Sequence, residues 1–84
     1  MTPEKANKEL CDRIRLHLTA REITQSKLAR QAGMSGTFLS DLLRGNRQWN
    51  PITIDKFCRA TKVDDDEQRL LHTLGAQSVG WRIS

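Results

Sequence analysis

The alternation of apolar and polar residues predicts a first helix near the start of the chain. Its inward stripe comprises Leu10, Ile14 and Leu18, with Ala6 or Cys11 beside them. These positions recur every three or four residues, which is the spacing of one buried helix face. Thr2 and Pro3 are residue types that favour a helix start, so we expect the helix to begin there.

Two short helices separated by a glycine follow. Thr24 can cap a helix that ends at Gly33, the residue type that most easily takes the left-handed conformation that ends a helix. Ser35 can cap a second helix that runs through Arg44 and is closed by Gly45. The apolar positions of the pair are Leu28, Ala29, Ala32, Leu39, Leu42 and Leu43. The pattern predicts helix, tight turn, helix.

Two further helices are predicted in the second half of the chain. Asn50 can cap a fourth helix with Pro51 in its first turn. Asp64 and Glu67 have the spacing of a capping box, which predicts a fifth helix that ends at Gly75. Their inner faces are assigned to Ile54, Phe57, Cys58 and Thr61, and to Leu70, Leu71 and Leu74.

The last residues change pattern. Val79, Trp81 and Ile83 alternate with other residues in a period of two, which is typical of an extended strand. We therefore divide the chain into a helical domain, 1–75, and a tail, 76–84. The tail can pair with the same strand of a second subunit, which makes these three residues the predicted dimerisation site. Alternatively, it folds back and Trp81 fills the core of its own subunit.

Composition limits the class of protein. The 84 residues suffice for one small domain, and the net charge of +4 with a pI near 9.6 favours an anionic partner. Cys11 and Cys58 have neither metal-site nor disulfide-framework spacing, which predicts reduced thiols. Without an apolar run long enough for a membrane span or a signal peptide, the expected location is the cytoplasm.

The helix pair resembles the Cro and lambda-repressor (Xre) helix-turn-helix family. The matching positions are Thr24, Gln25, Leu28, Ala29, Gly33, Met34, Ser35, Leu39, Leu42 and Gly45, and the run 51–63 resembles the family's fourth helix. This resemblance implies an all-α, five-helix lambda-repressor-like DNA-binding domain. It also implies a homodimer that binds two half-sites about one helical turn apart.

The second helix of the pair has the position of the family's recognition helix, whose N-terminal part enters the major groove. Its outer face supplies the predicted base-reading residues Gly36, Thr37, Phe38, Ser40 and Asp41. Gly36 can let the backbone approach DNA, and Thr37 offers a hydroxyl and a methyl group. Phe38 can contact thymine methyl groups or cover the second or fourth helix. Asp41 can accept a hydrogen bond from cytosine, or pair with Arg44 or another basic neighbour.

Polar and basic side chains flank this surface. The predicted phosphate-binding residues are Gln25, Lys27, Arg30, Arg44, Asn46, Arg47 and Gln48. In the resembled family a Gln at the position of Gln25 docks on the DNA backbone, and Arg47 is the natural phosphate partner in the loop. Trp49 is expected to pack against the fourth helix. The first helix also carries Lys5, Lys8, Arg13 and Arg15, which either contact phosphates or form a solvated face paired with Glu9 and Asp12.

Catalysis is not expected. His17 and His72 have no Ser, Cys or acid at a spacing that suggests a nucleophile and base, and no glycine-rich phosphate loop is present. The acidic run 64–67 lacks the glycine and spaced oxygen ligands of a calcium loop. We therefore expect no enzyme activity, no metal or cofactor and no small-molecule ligand.

These features together predict a transcriptional repressor that binds double-stranded DNA as a homodimer on an inverted-repeat operator. The resemblance points to the compact regulators of phages and plasmids. Two alternatives use the same fold. One is the DNA-binding antitoxin of a toxin-antitoxin pair, and the other is a protein-interaction module.

Overall fold

The computed structural model describes residues 2–79, which fold into five α-helices. These are α1 (Pro3–Ala20), α2 (Gln25–Ala32), α3 (Gly36–Arg44), α4 (Pro51–Thr61) and α5 (Asp65–Ser78). The predicted all-α, five-helix fold is confirmed, since no strand occurs within this range. None of the described helices combines the length and the apolar character that a membrane span requires.

Short side chains start every helix at the predicted position. The caps are Thr2, Thr24, Ser35, Asn50 and Asp64, and each side chain accepts a hydrogen bond from the backbone N–H three residues later. Gly33 and Gly45 end α2 and α3 with φ of +69° and +82°, in the left-handed region. The predicted starts of all five helices and the predicted ends of α2 and α3 are thus set by local hydrogen bonding and backbone geometry.

The predicted inner faces form one core. All five helices contribute apolar residues to this core. Those at most 1% exposed include Leu10, Ile14, Leu28, Leu39, Leu42, Ile54, Phe57 and Leu71. Trp49 is buried beside α4, with its ring 6.5 Å from that of Phe57, edge to face. Leu70 is only partly buried and packs against the cluster. The expected packing of Trp49 against the fourth helix is therefore confirmed.

Both cysteines are buried free thiols. Burial raises the pKa of Cys58 to about 11, and the carboxylates of Asp55 and Glu67 add to the increase. Burial also raises the pKa of Cys11, whose Sγ donates a hydrogen bond to the Leu42 carbonyl at 3.2 Å. The assignment of Cys58 to the inner face of the fourth helix is confirmed.

The predicted end of the fifth helix is wrong. Helix α5 continues through Gly75 to Ser78, so residues 76–78 are helical and not part of an extended tail. A Cβ at Gly75 would lie 2.5 Å from Cδ1 of Ile54, so glycine here lets α4 and α5 approach closely. Val79 caps the helix, whereas Trp81 and Ile83 lie outside the described residues.

The predicted capping box on α5 is only half formed. Asp64 Oδ1 accepts a hydrogen bond from the Glu67 N–H at 2.8 Å, as expected. The Glu67 carboxylate, however, reaches α1, where Arg13 Nη2 donates to it at 3.1 Å and His17 Nε2 lies 2.6 Å away. A complete capping box occurs instead on α4, between Asn50 and Thr53. Glu67 thus joins two helices rather than closing its own.

The basic residues of α1 divide between roles. Lys8 forms the expected surface pair with Asp12, at 3.2 Å. Arg13 pairs with Glu67 on α5 rather than with an acid of its own helix. The hydrogen bond that Glu67 accepts from Arg13, together with the one from His17, lowers the pKa of Glu67 despite the opposing effect of burial.

This lowered pKa predicts acid sensitivity. Because the folded-state pKa of Glu67 lies below the ordinary value of 4.5, its contribution to stability is present above that value and is lost as pH falls through the folded-state pKa. Glu67→Gln should lower the Tm at neutral pH by about 4–8 °C, the effect of about 1 kcal/mol in a domain of this size. It should also flatten the acid limb of a plot of Tm against pH.

Thermal unfolding from about pH 7 to about pH 3, followed by circular dichroism, measures both effects. Asp66→Asn is the matched control, because the Asp66 side chain is 96% exposed. Its effect on Tm should be small. Equal acid limbs for Glu67→Gln and the unchanged protein would contradict the assignment. Asp55, whose pKa is lowered by its hydrogen bond with His72, accounts for part of the remaining slope.

Candidate nucleic-acid interface

Helices α2 and α3 form a compact helix-turn-helix. The turn is closed by hydrogen bonds from the Met34 N–H to the Ala29 carbonyl at 2.8 Å and from the Gly33 N–H to the Arg30 carbonyl at 3.4 Å. Ala29 is 4% exposed, and its small side chain allows the two helices to pack closely. The turn geometry fixes the direction in which α3 leaves α2.

The structure separates the two faces of α3. Leu39, Leu42 and Leu43 are buried, whereas Gly36 and Thr37 are exposed and Phe38, Ser40 and Asp41 are partly exposed. The five predicted base-reading residues therefore lie on the accessible part of the helix. Among the described residues, a Cβ at Gly36 would meet no atom within 4 Å, so the packing of these residues does not require glycine at this position.

Phe38 and Asp41 contact the loop that follows α3. The guanidinium carbon of Arg47 lies 5.1 Å from the centroid of the Phe38 ring, and Arg47 Nε lies 3.8 Å from Asp41 Oδ2. Of the interpretations open for Asp41, pairing with a basic neighbour is the one observed, and the neighbour is Arg47 rather than Arg44. Phe38 also packs against the core cluster.

The predicted phosphate-binding residues are all exposed. They comprise Gln25, Lys27 and Arg30 on α2, Arg44 at the end of α3, and Asn46, Arg47 and Gln48 in the loop. Four of these residues are cations: Lys27, Arg30, Arg44 and Arg47. Within residues 2–79, only Arg47 has an acidic partner. Gln48 is turned toward α5, where its Oε1 accepts a hydrogen bond from Ser78 Oγ at 3.5 Å.

Side chains from outside the helix-turn-helix hold the C-terminal end of α3. Arg15 Nη2 on α1 donates a hydrogen bond to the Leu43 carbonyl at 2.6 Å. Cys11 Sγ and Trp49 Nε1 donate to the Leu42 carbonyl at 3.2 and 3.3 Å. The last carbonyls of a helix lack partners within the helix, and a cation there is favoured by the helix dipole.

Sequence reasoning missed this arrangement. The sequence predicts that Arg15 lies on a solvated face or contacts phosphate. The residues around Arg15 do not indicate which helix packs against α1. The position of Arg15, directly after the buried Ile14, is only a weak signal that it binds a carbonyl of a neighbouring helix. The partner carbonyl is decided by the packing of α1 against α3.

Comparison with known protein families gave one result. A family model described as a helix-turn-helix domain matches residues 9–71, which is well over half of the chain. Comparisons with curated proteins and with solved structures found no match. The matched range contains α2, α3, α4 and most of α1, so it includes the whole of the surface described above.

The hydrogen bond from Arg15 to the Leu43 carbonyl predicts that Arg15 positions α3. Arg15→Ala removes a charged donor from the Leu43 carbonyl, which should lower the Tm by about 4–8 °C, the effect of about 1 kcal/mol. It should also speed amide hydrogen exchange in the last turn of α3. Lys8→Ala is the control, since it removes one cation from the same helix but only an exposed ion pair. Equal effects of the two substitutions would contradict the positioning role.

Proposed function

Because the chain belongs to the helix-turn-helix domain family, we propose that it is a sequence-specific DNA-binding repressor. In this proposal it acts as a homodimer on an inverted-repeat operator and blocks transcription by covering a promoter. The observation that carries the proposal is the two-sided α3, which buries its leucines and exposes polar residues at its N-terminal end. The Cro- and lambda-repressor-like sequence pattern favours a regulator of phage or plasmid origin.

The distribution of charge supports DNA as the partner. Residues 24–48 contain four basic residues and one acidic residue, a net charge of +3 out of +4 for the whole chain. Residues 64–79 contain four acidic residues and one basic residue, a net charge of −3. A polyanion is therefore attracted to the helix-turn-helix and repelled by the start of α5, which orients the domain as it approaches DNA.

We propose two kinds of contact within this surface. Residues on the exposed side of α3 read base edges in the major groove, beginning with Gly36 and Thr37 in its first turn. The polar and basic residues of α2 and of the end of α3, with Asn46 and Gln48 of the following loop, contact phosphates and set the register of the domain on the duplex. Gly36 fits a close approach of the backbone to DNA, since no atom of residues 2–79 fills the space beside it.

A groove between the start of α4 and the end of α5 supports the homodimer. Ile52 and Val79 are 67% and 42% exposed, and Val79 lines a groove of about 370 Å³ together with Trp49, Ile54 and Ala76. Exposed apolar side chains around a groove are typical of an interaction site. Val79 begins the segment with the proposed dimerisation residues Trp81 and Ile83, so the groove and the tail together form the proposed dimer contact.

The same groove favours a second candidate, the antitoxin of a toxin-antitoxin pair, in which a toxin would cover the apolar surface. A small toxin gene beside the reading frame would favour this candidate. A protein-interaction module that does not bind DNA is the third. Selection of bound duplexes from a random pool distinguishes this module from the repressor and the antitoxin, both of which bind DNA.

Selection of bound duplexes from a random pool at moderate salt tests the DNA-binding proposal. We expect an enriched inverted repeat with half-sites about one helical turn apart. Thr37→Ala should change the preferred sequence, because Thr37 is a proposed base reader. Arg30→Ala should weaken all duplexes equally and reduce the slope of log K against log salt by about 0.9, because one phosphate contact is lost.

Two results would count against the proposal. An absence of any enriched sequence would leave protein interaction as the better function. Equal weakening of all duplexes by Thr37→Ala would remove its role as a reader. Circular dichroism of both variants should match the unchanged protein, since both side chains are exposed.

Deletion of residues 80–84 tests the dimer contact. The shortened chain should elute as a monomer in gel filtration at concentrations where the full chain is a dimer, because Trp81 and Ile83 are lost. It should retain the helical circular dichroism of α1 to α5. Arg82→Ala within the full chain is the control, since it leaves both apolar side chains in place. A shortened chain that remains dimeric would exclude the tail and leave α5 as the dimer contact.

A further inference from the structure

Arg47 lies over the exposed face of α3 rather than away from it. Its guanidinium carbon is 5.1 Å from the centroid of the Phe38 ring, and its Nε is 3.8 Å from Asp41 Oδ2. Phe38 and Asp41 are three positions apart, so they are neighbours on one side of the helix. The loop that follows Gly45 thus returns a cation to the part of α3 that the proposed function places in the major groove.

The contacts of Arg47 direct the guanidinium without stabilising the fold appreciably. The Arg47 side chain is 56% exposed and that of Asp41 is 33% exposed. Ion pairs and cation–π contacts at such exposed positions contribute little to folding. They do restrict a flexible side chain before it binds, which reduces the conformational entropy lost on binding.

The donors of Arg47 remain available to a ligand. Within residues 2–79, its guanidinium donates no hydrogen bond to protein, and only Nε faces the Asp41 carboxylate. A guanidinium presents five N–H groups in a planar fork. Two of these can bind O6 and N7 of guanine together, which is the commonest specific contact between a side chain and a base in the major groove.

We propose that Arg47 reads a guanine in the major groove and that Asp41 and Phe38 position it. This inference rests on the proposed function, since it assigns a base to the same surface. The charge of Asp41 fits the role, because a carboxylate that faces DNA is repelled by phosphates unless a cation neutralises it. Arg47 supplies that cation and gains an orientation in return.

The competing arrangement has the same residues in different roles. There, Asp41 accepts a hydrogen bond from a cytosine amino group, and Arg47 swings away to a phosphate. In our proposal, loss of Arg47 removes discrimination at one base pair of each half-site. In the competing arrangement, loss of Arg47 weakens every duplex alike, and Asp41→Asn changes the preferred base.

The experiment measures affinity for the selected duplex and for duplexes in which each base pair is changed in turn. The unchanged full-length protein should prefer one G·C pair by about 5- to 150-fold, the range for a bidentate contact. Arg47→Ala should abolish this preference and keep the preferences at other positions. Arg47→Lys should retain the salt dependence but lose most of the preference, because an ammonium lacks the planar fork.

A modified base gives a readout that does not depend on a protein variant. Replacement of that guanine by 7-deazaguanine removes the N7 acceptor and keeps Watson–Crick pairing. It should weaken binding by the unchanged protein and have no effect on Arg47→Ala. Asp41→Asn should reduce the same preference in the unchanged background and have no further effect on it in the Arg47→Ala background, since coupled residues are not additive.

Arg44→Ala is the matched control. It removes one exposed cation from the end of α3, and among the described residues Arg44 has no acidic partner. It should weaken all duplexes by a similar factor. If Arg47→Ala behaves in the same way and the sequence preference survives, the inference on Arg47 is overturned and the proposed function stands. If the unchanged protein selects no sequence, both are overturned.

Discussion

Hydrogen bonds to two carbonyls in the last turn of α3 link this helix to the rest of the molecule. Arg15, Cys11 and Trp49 donate to the carbonyls of Leu42 and Leu43. Helix α3 has only nine residues, a length at which an isolated helix is barely stable in water. Its orientation therefore depends on α1 and on the loop before α4, as well as on the turn from α2. The surface proposed to meet DNA is thus a product of the whole core.

The charges are distributed unevenly along the chain. Most of the net positive charge belongs to residues 24–48, whereas the acidic residues at the start of α5 lie beside α1, where Glu67 is held by Arg13 and His17. This ion pair neutralises Arg13, one of the basic residues of α1 that the sequence offers for phosphate contact. The cations that remain without an acidic partner among the described residues include Lys27, Arg30 and Arg44 on the helix-turn-helix.

Features that depend on a few neighbouring residues could be predicted. Thr24, Gly33 and Ser35 define the ends of α2 and α3, because capping and left-handed turns involve residues only three or four positions apart. The prediction of a helix end at Gly75 is wrong, because the sequence signal of Gly75 is the same as that of Gly33. Its actual role is set by Ile54, which is 21 positions away in the chain. A glycine required by packing and a glycine required by φ look alike in a sequence.

Local sequence signals sufficed for the fold class, the five helix starts, the ends of α2 and α3, the buried faces and the set of exposed residues on α2 and α3. The partners of the long charged side chains depend instead on how the helices pack. The Glu67 carboxylate pairs with Arg13 and His17 of α1 and does not cap its own helix. Arg15 donates a hydrogen bond to α3, and Arg47 contacts Phe38 and Asp41. The physical reason is that such side chains span several ångströms and have many rotamers of similar energy. Their contacts therefore follow from whichever charge or carbonyl the packing of distant segments brings within reach.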